Sequence, residues 1–101
     1  MIPTPGRIVL YTLCADDAFA ITQRRDDVRT GAQARGGNPV KAGDEFPLVI
    51  TRVWATPETV TEATACNGQV LLDGNDTLWV TSVHQGDGER HWRDPRETAS
   101  A

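Results

Sequence analysis

Residues 71 to 83, "LLDGNDTLWVTSV", decide the fold class of this chain. Two apolar runs flank a short polar segment, Asp73 to Asp76. Gly74 and Asn75 stand at the centre of that segment, and both residue types tolerate the positive φ angles that a tight hairpin turn needs. The stretch therefore predicts two antiparallel strands, residues 68–73 and 77–83, joined by a turn.

The same turn predicts the register of the two strands. If the turn has two central residues, Leu71 pairs near Leu78 and Val70 pairs near Trp79.

Three further segments have the composition of strands. "RIVLYTL", residues 7–13, and the stretch from Phe46 to Trp54 are rich in β-branched and aromatic residues. The segment Arg90 to Trp92 predicts a short fifth strand. Between the first two strands lies a glycine-rich loop, residues 30–43, which holds four glycines and a proline.

The segment "CADDAFAITQRRDDVR" predicts a helix over about residues 15–29. Asp16 and Asp17 stand early and the arginines stand late, which suits the helix dipole. Ile21 and Arg25 fall on the same helical face. An arginine on an apolar stripe is unusual, and we expect its stem to pack while its guanidinium reaches solvent.

These elements predict a mainly β (α+β) fold. We expect a small bent antiparallel sheet or an SH3-like barrel, with one helix inserted after the first strand. A chain of 101 residues argues for one domain, which we place at residues 1–93. Residues 94–101 are expected to form a disordered tail.

Composition excludes several functional classes. The net charge is −4, with basic residues alternating with acids, which disfavours binding to duplex nucleic acid. No apolar run approaches the length of a membrane span, and the N-terminus has no signal-peptide pattern, so we expect a soluble protein that stays where it is made. Cys14 and Cys66 are expected to be free thiols.

Motifs for catalysis, cofactors and metals are not evident. The chain has no Ser-His-Asp order, nucleophile elbow, P-loop or dinucleotide-binding glycine motif, so we expect a non-enzyme without a cofactor. His84 and His91 lack the spacing of zinc ligands. Asp73, Asn75 and Asp76 are oxygen-bearing and suit a cation, but their pattern is better explained by the hairpin turn.

A basic stretch around the glycine-rich loop is the candidate binding site. Arginine forks match phosphates, and tryptophans can stack on a base, so these residues together suggest a nucleotide-like ligand. The alternatives are a protein partner, or a solvated helix face on which Asp26 and Asp27 pair with the arginines. The candidate residues are Arg24, Arg25, Arg29, Arg35, Lys41, Trp79 and Trp92.

Three segments carry a resemblance to a known family. "MIPTPGRIVLYTL", "GNPVKAGDEFPLVI" and "VLLDGNDTLWVTSV", followed by a late tryptophan, resemble a family of short proteins encoded by tailed bacteriophages and prophages, often of actinobacterial hosts. That family carries an asparagine before an arginine run in the helix, whereas this chain has Thr22 and Gln23 there. The resemblance implies a phage origin and no settled activity.

Two functions fit these expectations. The first is a phage-encoded binding module in the host cytoplasm that binds a host protein or sequesters a nucleotide-like ligand. The alternative is a small virion accessory protein of the head, connector or tail. In both cases the thin apolar core favours a homo-oligomer, since subunit contact would bury more surface.

Overall fold

The computed structural model describes residues 1–26 and 36–96. Within those ranges the chain forms one helix and five strands, and each strand lies within two residues of its predicted bounds. The strands are β1 (Ile8–Thr12), β2 (Glu45–Val53), β3 (Cys66–Leu71), β4 (Thr77–Gln85) and β5 (His91–Arg93), and helix α1 is Ala15–Asp26. Residues 27–29, the predicted last turn of the helix, lie outside the described ranges.

The five strands close into a barrel in the order β1-β2-β3-β4-β5. Consecutive strands from β1 to β4 pair antiparallel, and β1 also pairs antiparallel with β5 through Leu10↔Arg93 and Tyr11↔Trp92. This confirms the prediction of a small barrel with one helix after the first strand. The pairing of β4 with β5 differs from the expected antiparallel arrangement, because it is parallel.

The predicted register of the β3–β4 hairpin is wrong by one residue. Leu71 pairs with Thr77 and Val70 pairs with Leu78, so the loop has five residues rather than two. A two-residue loop would place Asp73 directly opposite Asp76, where two carboxylates repel each other. The longer loop instead turns the Asp76 side chain towards helix α1.

The core of the barrel is built from alternate residues of the strands. Val9, Leu48, Val70 and Leu78 are neighbours on four adjacent strands, and their side chains are buried. Burial of side chains of this size typically stabilises a fold by about 1.5–3 kcal/mol each. The other buried apolar residues are Tyr11, Leu13, Ile21, Ile50, Cys66, Leu72, Val80, Val83 and Trp92.

Helix α1 follows β1, and its Asp17 lines a cleft together with residues of β4. Strand β5 pairs with β4 only at His84 and Gln85. The helix contributes Ile21 to the core, where this side chain is fully buried. Its first turn is capped by the Asp17 carboxylate, which accepts a hydrogen bond of 3.1 Å from the Cys14 N–H.

Order extends past the predicted domain boundary at residue 94. Asp94, assigned from the sequence to the disordered tail, is buried. Its carboxylate accepts hydrogen bonds from the backbone N–H and the guanidinium of Arg96. The ordered domain therefore includes Asp94 to Arg96, and residues 97–101 lie outside the described ranges.

Candidate functional site

The arginine at position 25 links helix α1 to the β3–β4 hairpin. Its Nε and Nη2 atoms donate to the two carboxylate oxygens of Asp76 at 3.0 and 2.9 Å, and its Nη1 donates to the Asn38 carbonyl at 2.7 Å. The Arg25 side chain is 10% exposed and that of Asp76 is 5% exposed. The expectation that this guanidinium reaches solvent is therefore wrong, because the hairpin supplies an acceptor for it.

The Arg25–Asp76 pair shifts the ionisation of both groups. Hydrogen bonding to the Arg25 guanidinium lowers the pKa of Asp76, and hydrogen bonding to Asp76 raises the pKa of Arg25. Both groups therefore stay charged at neutral pH. A fully charged bidentate pair with little exposure to solvent holds the helix and the hairpin together, and it takes three of the five guanidinium N–H groups once the Asn38 contact is included.

The hairpin turn also binds the end of the glycine-rich loop. Asn75 and Gly36 form two hydrogen bonds, from Asn75 N to the Gly36 carbonyl and from Gly36 N to Asn75 Oδ1. Asn38 donates to Asp73 through both its backbone and its side-chain amide. The Asp73–Asp76 segment thus closes a hairpin and anchors a neighbouring loop of the same chain.

This contact requires glycine at the turn. A side-chain carbon at Gly74 would collide with the Gly36 carbonyl oxygen and the Gly37 backbone. We expect Gly74→Ala to lower the free energy of unfolding by about 1–3 kcal/mol, as overpacking does. Gly36→Ala is the matched control, because nothing lies within 4 Å of a carbon added there. Urea denaturation of both variants measures the difference, and equal losses would contradict the close approach.

Arg24 lies next to the same carboxylate but is less completely bound. Its Nη2 atom is 3.6 Å from Asp76 Oδ2, and its side chain is 32% exposed. Its Nε and Nη2 atoms are buried and have no hydrogen-bond acceptor among the described residues. Arg24 and Arg25 therefore share one carboxylate on the hairpin, and Arg25 takes both of its oxygens.

The structure does not bring the predicted ligand residues into one site. Trp92 is completely buried in the core, so its ring has no free face. Trp79 is 60% exposed on the outside of β4. Lys41 is exposed in the turn before β2, where its N–H donates to Asp44. Two further predicted residues, Arg29 and Arg35, lie outside the described ranges.

A row of side chains on the outer face of the barrel forms an exposed surface. Ile8, Val49, Gln69 and Trp79 are paired in turn across β1, β2, β3 and β4, and Leu71 lies on the same face two residues from Gln69. Ile8 is 56% exposed, Trp79 60% and Leu71 42%. We call these five residues the outer-face patch.

A cleft adjoins the patch at Trp79. It has a volume of about 210 Å³ and lies between β4 and the first turn of α1. Its polar lining residues are Asp17 on the helix, Thr81 on β4 and Arg90 before β5, together with Tyr11. We call it the Trp79 cleft. Residues from both faces of β4 line it, as expected where a strand edge is open.

Tyr11 forms the floor of the Trp79 cleft. Its hydroxyl donates to Asp17 Oδ2 at 2.6 Å. Burial, followed by this hydrogen bond to a carboxylate, raises the pKa of Tyr11 above its ordinary value. The hydroxyl therefore stays protonated and fixes the Asp17 side chain in place, which makes Tyr11 a support for the cleft rather than a base.

Other candidate chemistry is sparse in the described part of the chain. His84 and His91 are neighbours across the β4–β5 pairing, but no group of three or more potential metal ligands occurs within residues 1–26 and 36–96. Both cysteines are free, and burial raises the pKa of Cys66 to about 11. Trp54 is held by its indole N–H to Asn67 and stacks with Arg52 at 4.9 Å.

A second concave surface lies on the far part of β2. The N-terminal segment and the loop after β2 enclose an apolar groove of about 400 Å³. Its lining residues include Pro3, Val53, Pro57 and Val60. Its walls offer few polar groups, so they define no ligand chemistry.

Comparison with protein-family profiles, with curated proteins and with solved structures finds no match for this chain. The described part of the chain has no helix long and apolar enough to cross a bilayer. The resemblance to phage-encoded proteins stays a prediction. What the fold and the surface define is a class: a small closed barrel with an apolar outer patch and an adjacent polar cleft.

Proposed function

We propose that this chain is a non-enzymatic binding module that holds a protein partner on the outer-face patch. The observation that carries the proposal is the outer-face patch, where Leu71 and Trp79 stand exposed on the neighbouring strands β3 and β4 and Ile8 is exposed at the other end of the row. Exposed apolar patches on a folded domain mark protein–protein contact sites. Tryptophan is also enriched among the residues that dominate binding energy.

The contacts of Arg25 and the burial of Trp92 favour a protein partner over a nucleotide-like ligand. A phosphate needs donors that are free to turn towards it, and Arg25 spends three nitrogen atoms on Asp76 and Asn38. Trp92, the second aromatic residue of the predicted pocket, is part of the core. A phosphate at this place would also meet the negative charge of Asp76.

The setting of this module follows from the sequence resemblance. We propose that it is encoded by a phage and acts on a host protein in the host cytoplasm. The virion role remains the alternative. In that role the outer-face patch would contact other subunits of the particle. The identity of the protein that binds the patch therefore distinguishes the two functions.

Photocrosslinking in the infected host tests the proposal. Benzoylphenylalanine is placed at Leu71 or at Trp79 within the patch, and at Glu58, an exposed loop position outside the patch, as the control. We expect one discrete adduct from the two patch positions and none from the control. Mass spectrometry of that adduct should identify a single host protein.

The other outcomes are equally informative. No discrete adduct, or the same adduct from Glu58, would contradict the proposal. Adducts to particle proteins, together with the chain in purified virions, would replace the host-protein function by the virion function. Adducts to a second copy of this chain alone would identify the patch as an oligomer contact.

A further inference from the structure

We infer that the Trp79 cleft receives an extended segment of the partner and holds a carboxylate of that segment against Arg90. This inference rests on the proposed function and adds the chemistry of the partner's segment. It concerns the first turn of α1 and the middle of β4, whereas Arg24 and Arg25 lie in the last turn of the helix.

The open edge of β4 favours an extended peptide. Strand β4 pairs with β3 from Thr77 to Val83, but β5 reaches it only at His84 and Gln85. On the side away from β3, the edge at Trp79 to Thr81 therefore has no strand partner in the described ranges. Peptides commonly bind by adding a strand to such an edge.

The size of the cleft points in the same direction. Sites for whole small molecules typically enclose about 300–1,000 Å³. The Trp79 cleft encloses about 210 Å³, which is less than that range. It therefore suits part of a chain, such as one side chain and its neighbouring backbone, better than a complete nucleotide.

Arg90 gives the cleft its preference for a negative group. No carboxylate among the described residues lies within ion-pair distance of its guanidinium. Its backbone is in the left-handed region, with φ of 66°, and its N–H donates to the Thr12 carbonyl at 2.8 Å. Non-glycine residues are rarely held in this region, and those that are cluster at binding sites.

The opposite wall decides where the carboxylate lies. Asp17 carries a negative charge, and its Oδ2 atom already accepts from the Tyr11 hydroxyl and the Cys14 N–H. It repels an anion, so the partner's carboxylate must lie on the Arg90 side. The exposed ring of Trp79 then covers the apolar part of the same residue or of its neighbour.

Two matched small probes test this assignment by NMR. N-acetyl-phenylalanine has an aromatic ring beside a carboxylate, and its amide has the same ring without the charge. Both are titrated into the full chain while the Trp79 indole N–H and the Thr81 and Arg90 amides are followed. We expect the carboxylate to bind about tenfold more tightly or better, which is the effect of one charge-assisted hydrogen bond.

Three variants make the test specific. Arg90→Gln should reduce the affinity for the carboxylate to that for the amide, while Arg52→Gln, at an exposed arginine stacked on Trp54, should leave it unchanged. Asp17→Asn keeps an acceptor for Tyr11 and removes the repulsion, so it should tighten carboxylate binding. If a variant does not fold, the comparison of the two probes on the wild-type chain still tests the inference.

Equal affinities for the two probes, or no shifts at Trp79 and Arg90 for either, would overturn the inference. If the probes gave that result while a host protein still crosslinked to the patch, only the carboxylate assignment would be lost and the proposed function would stand. Tight carboxylate binding without any crosslinked partner would instead remove the proposed function and leave a small-ligand cleft.

Discussion

Asp76→Ala is expected to lower the free energy of unfolding by about 3–5 kcal/mol, the range for breaking a buried ion pair. The substitution leaves the Arg25 guanidinium, only 10% exposed, without its carboxylate. It also releases Arg24, which lies 3.6 Å from the same group. Urea denaturation followed by circular dichroism measures the loss.

Glu45→Ala is the matched control for this prediction. Glu45 forms a two-bond pair with Arg93, but the two side chains are 38% and 22% exposed. Exposed pairs are worth about 0–1 kcal/mol, so the control should lose far less. Similar losses in the two variants would mean that the buried Arg25–Asp76 pair contributes no more to the free energy of unfolding than an exposed pair does.

Two further measurements identify the mechanism. The double variant Arg25→Met with Asp76→Leu should recover much of the stability, because it removes both charges of the bidentate pair, and the remaining loss should come from the released Arg24. The contribution of the pair should also depend on pH. Because the pKa of Asp76 is lowered on folding, the contribution is present above the unfolded pKa of about 4 and is lost as pH falls through the folded value. The difference between wild type and Asp76→Ala should therefore shrink in acid.

Trp92→Ala is expected to lower the free energy of unfolding by about 3–5 kcal/mol, the range for truncating a buried aromatic residue. Trp92 is fully buried and pairs with Tyr11 on β1 and Gln85 on β4, so it stands where the barrel closes. A domain of this size has a total stability of about 5–15 kcal/mol, and the variant should lie near the limit of folding.

Trp79→Ala is the control, since the two tryptophans differ mainly in burial. Trp79 is 60% exposed, and its loss should change stability by about 0.5 kcal/mol or less. Far-ultraviolet circular dichroism is the appropriate probe, because both variants alter tryptophan fluorescence. If Trp79→Ala were the more destabilising variant, the outer-face patch would be a structural surface and not a binding surface.

The strands were predictable because alternation and turn residues are local signals. "TLWVTSV" places Leu78 and Val80 on one face and Trp79 on the other, and the same alternation identifies Trp79 as an outward residue. Trp92 lies in a strand of only three residues, which is too short for the alternation of apolar and polar residues to show whether its side chain faces the core or the surface. Its place among the candidate ligand residues reflected its chemistry alone.

The contacts of Arg25 join residues that are far apart in the chain, and this distance explains why the sequence mispredicted them. Arg25 was expected to face solvent or pair with Asp26 and Asp27, the acids next to it. Its actual partner is Asp76, and the sequence has no signal that joins a helix to a hairpin turn at that distance. The register error has the same source, because the extra loop length is what delivers Asp76 to the helix.

The pairing of Leu10 with Arg93 has a consequence for how the chain acquires its structure. This contact joins two ends of the sequence that are separated by every other element of the fold. Chains dominated by such distant pairings fold slowly, because loop-closure entropy must be overcome before the contacts form. During synthesis the barrel can close only after residues 91–93 have left the ribosome, and until then β1 and β4 are exposed edges open to wrong pairing.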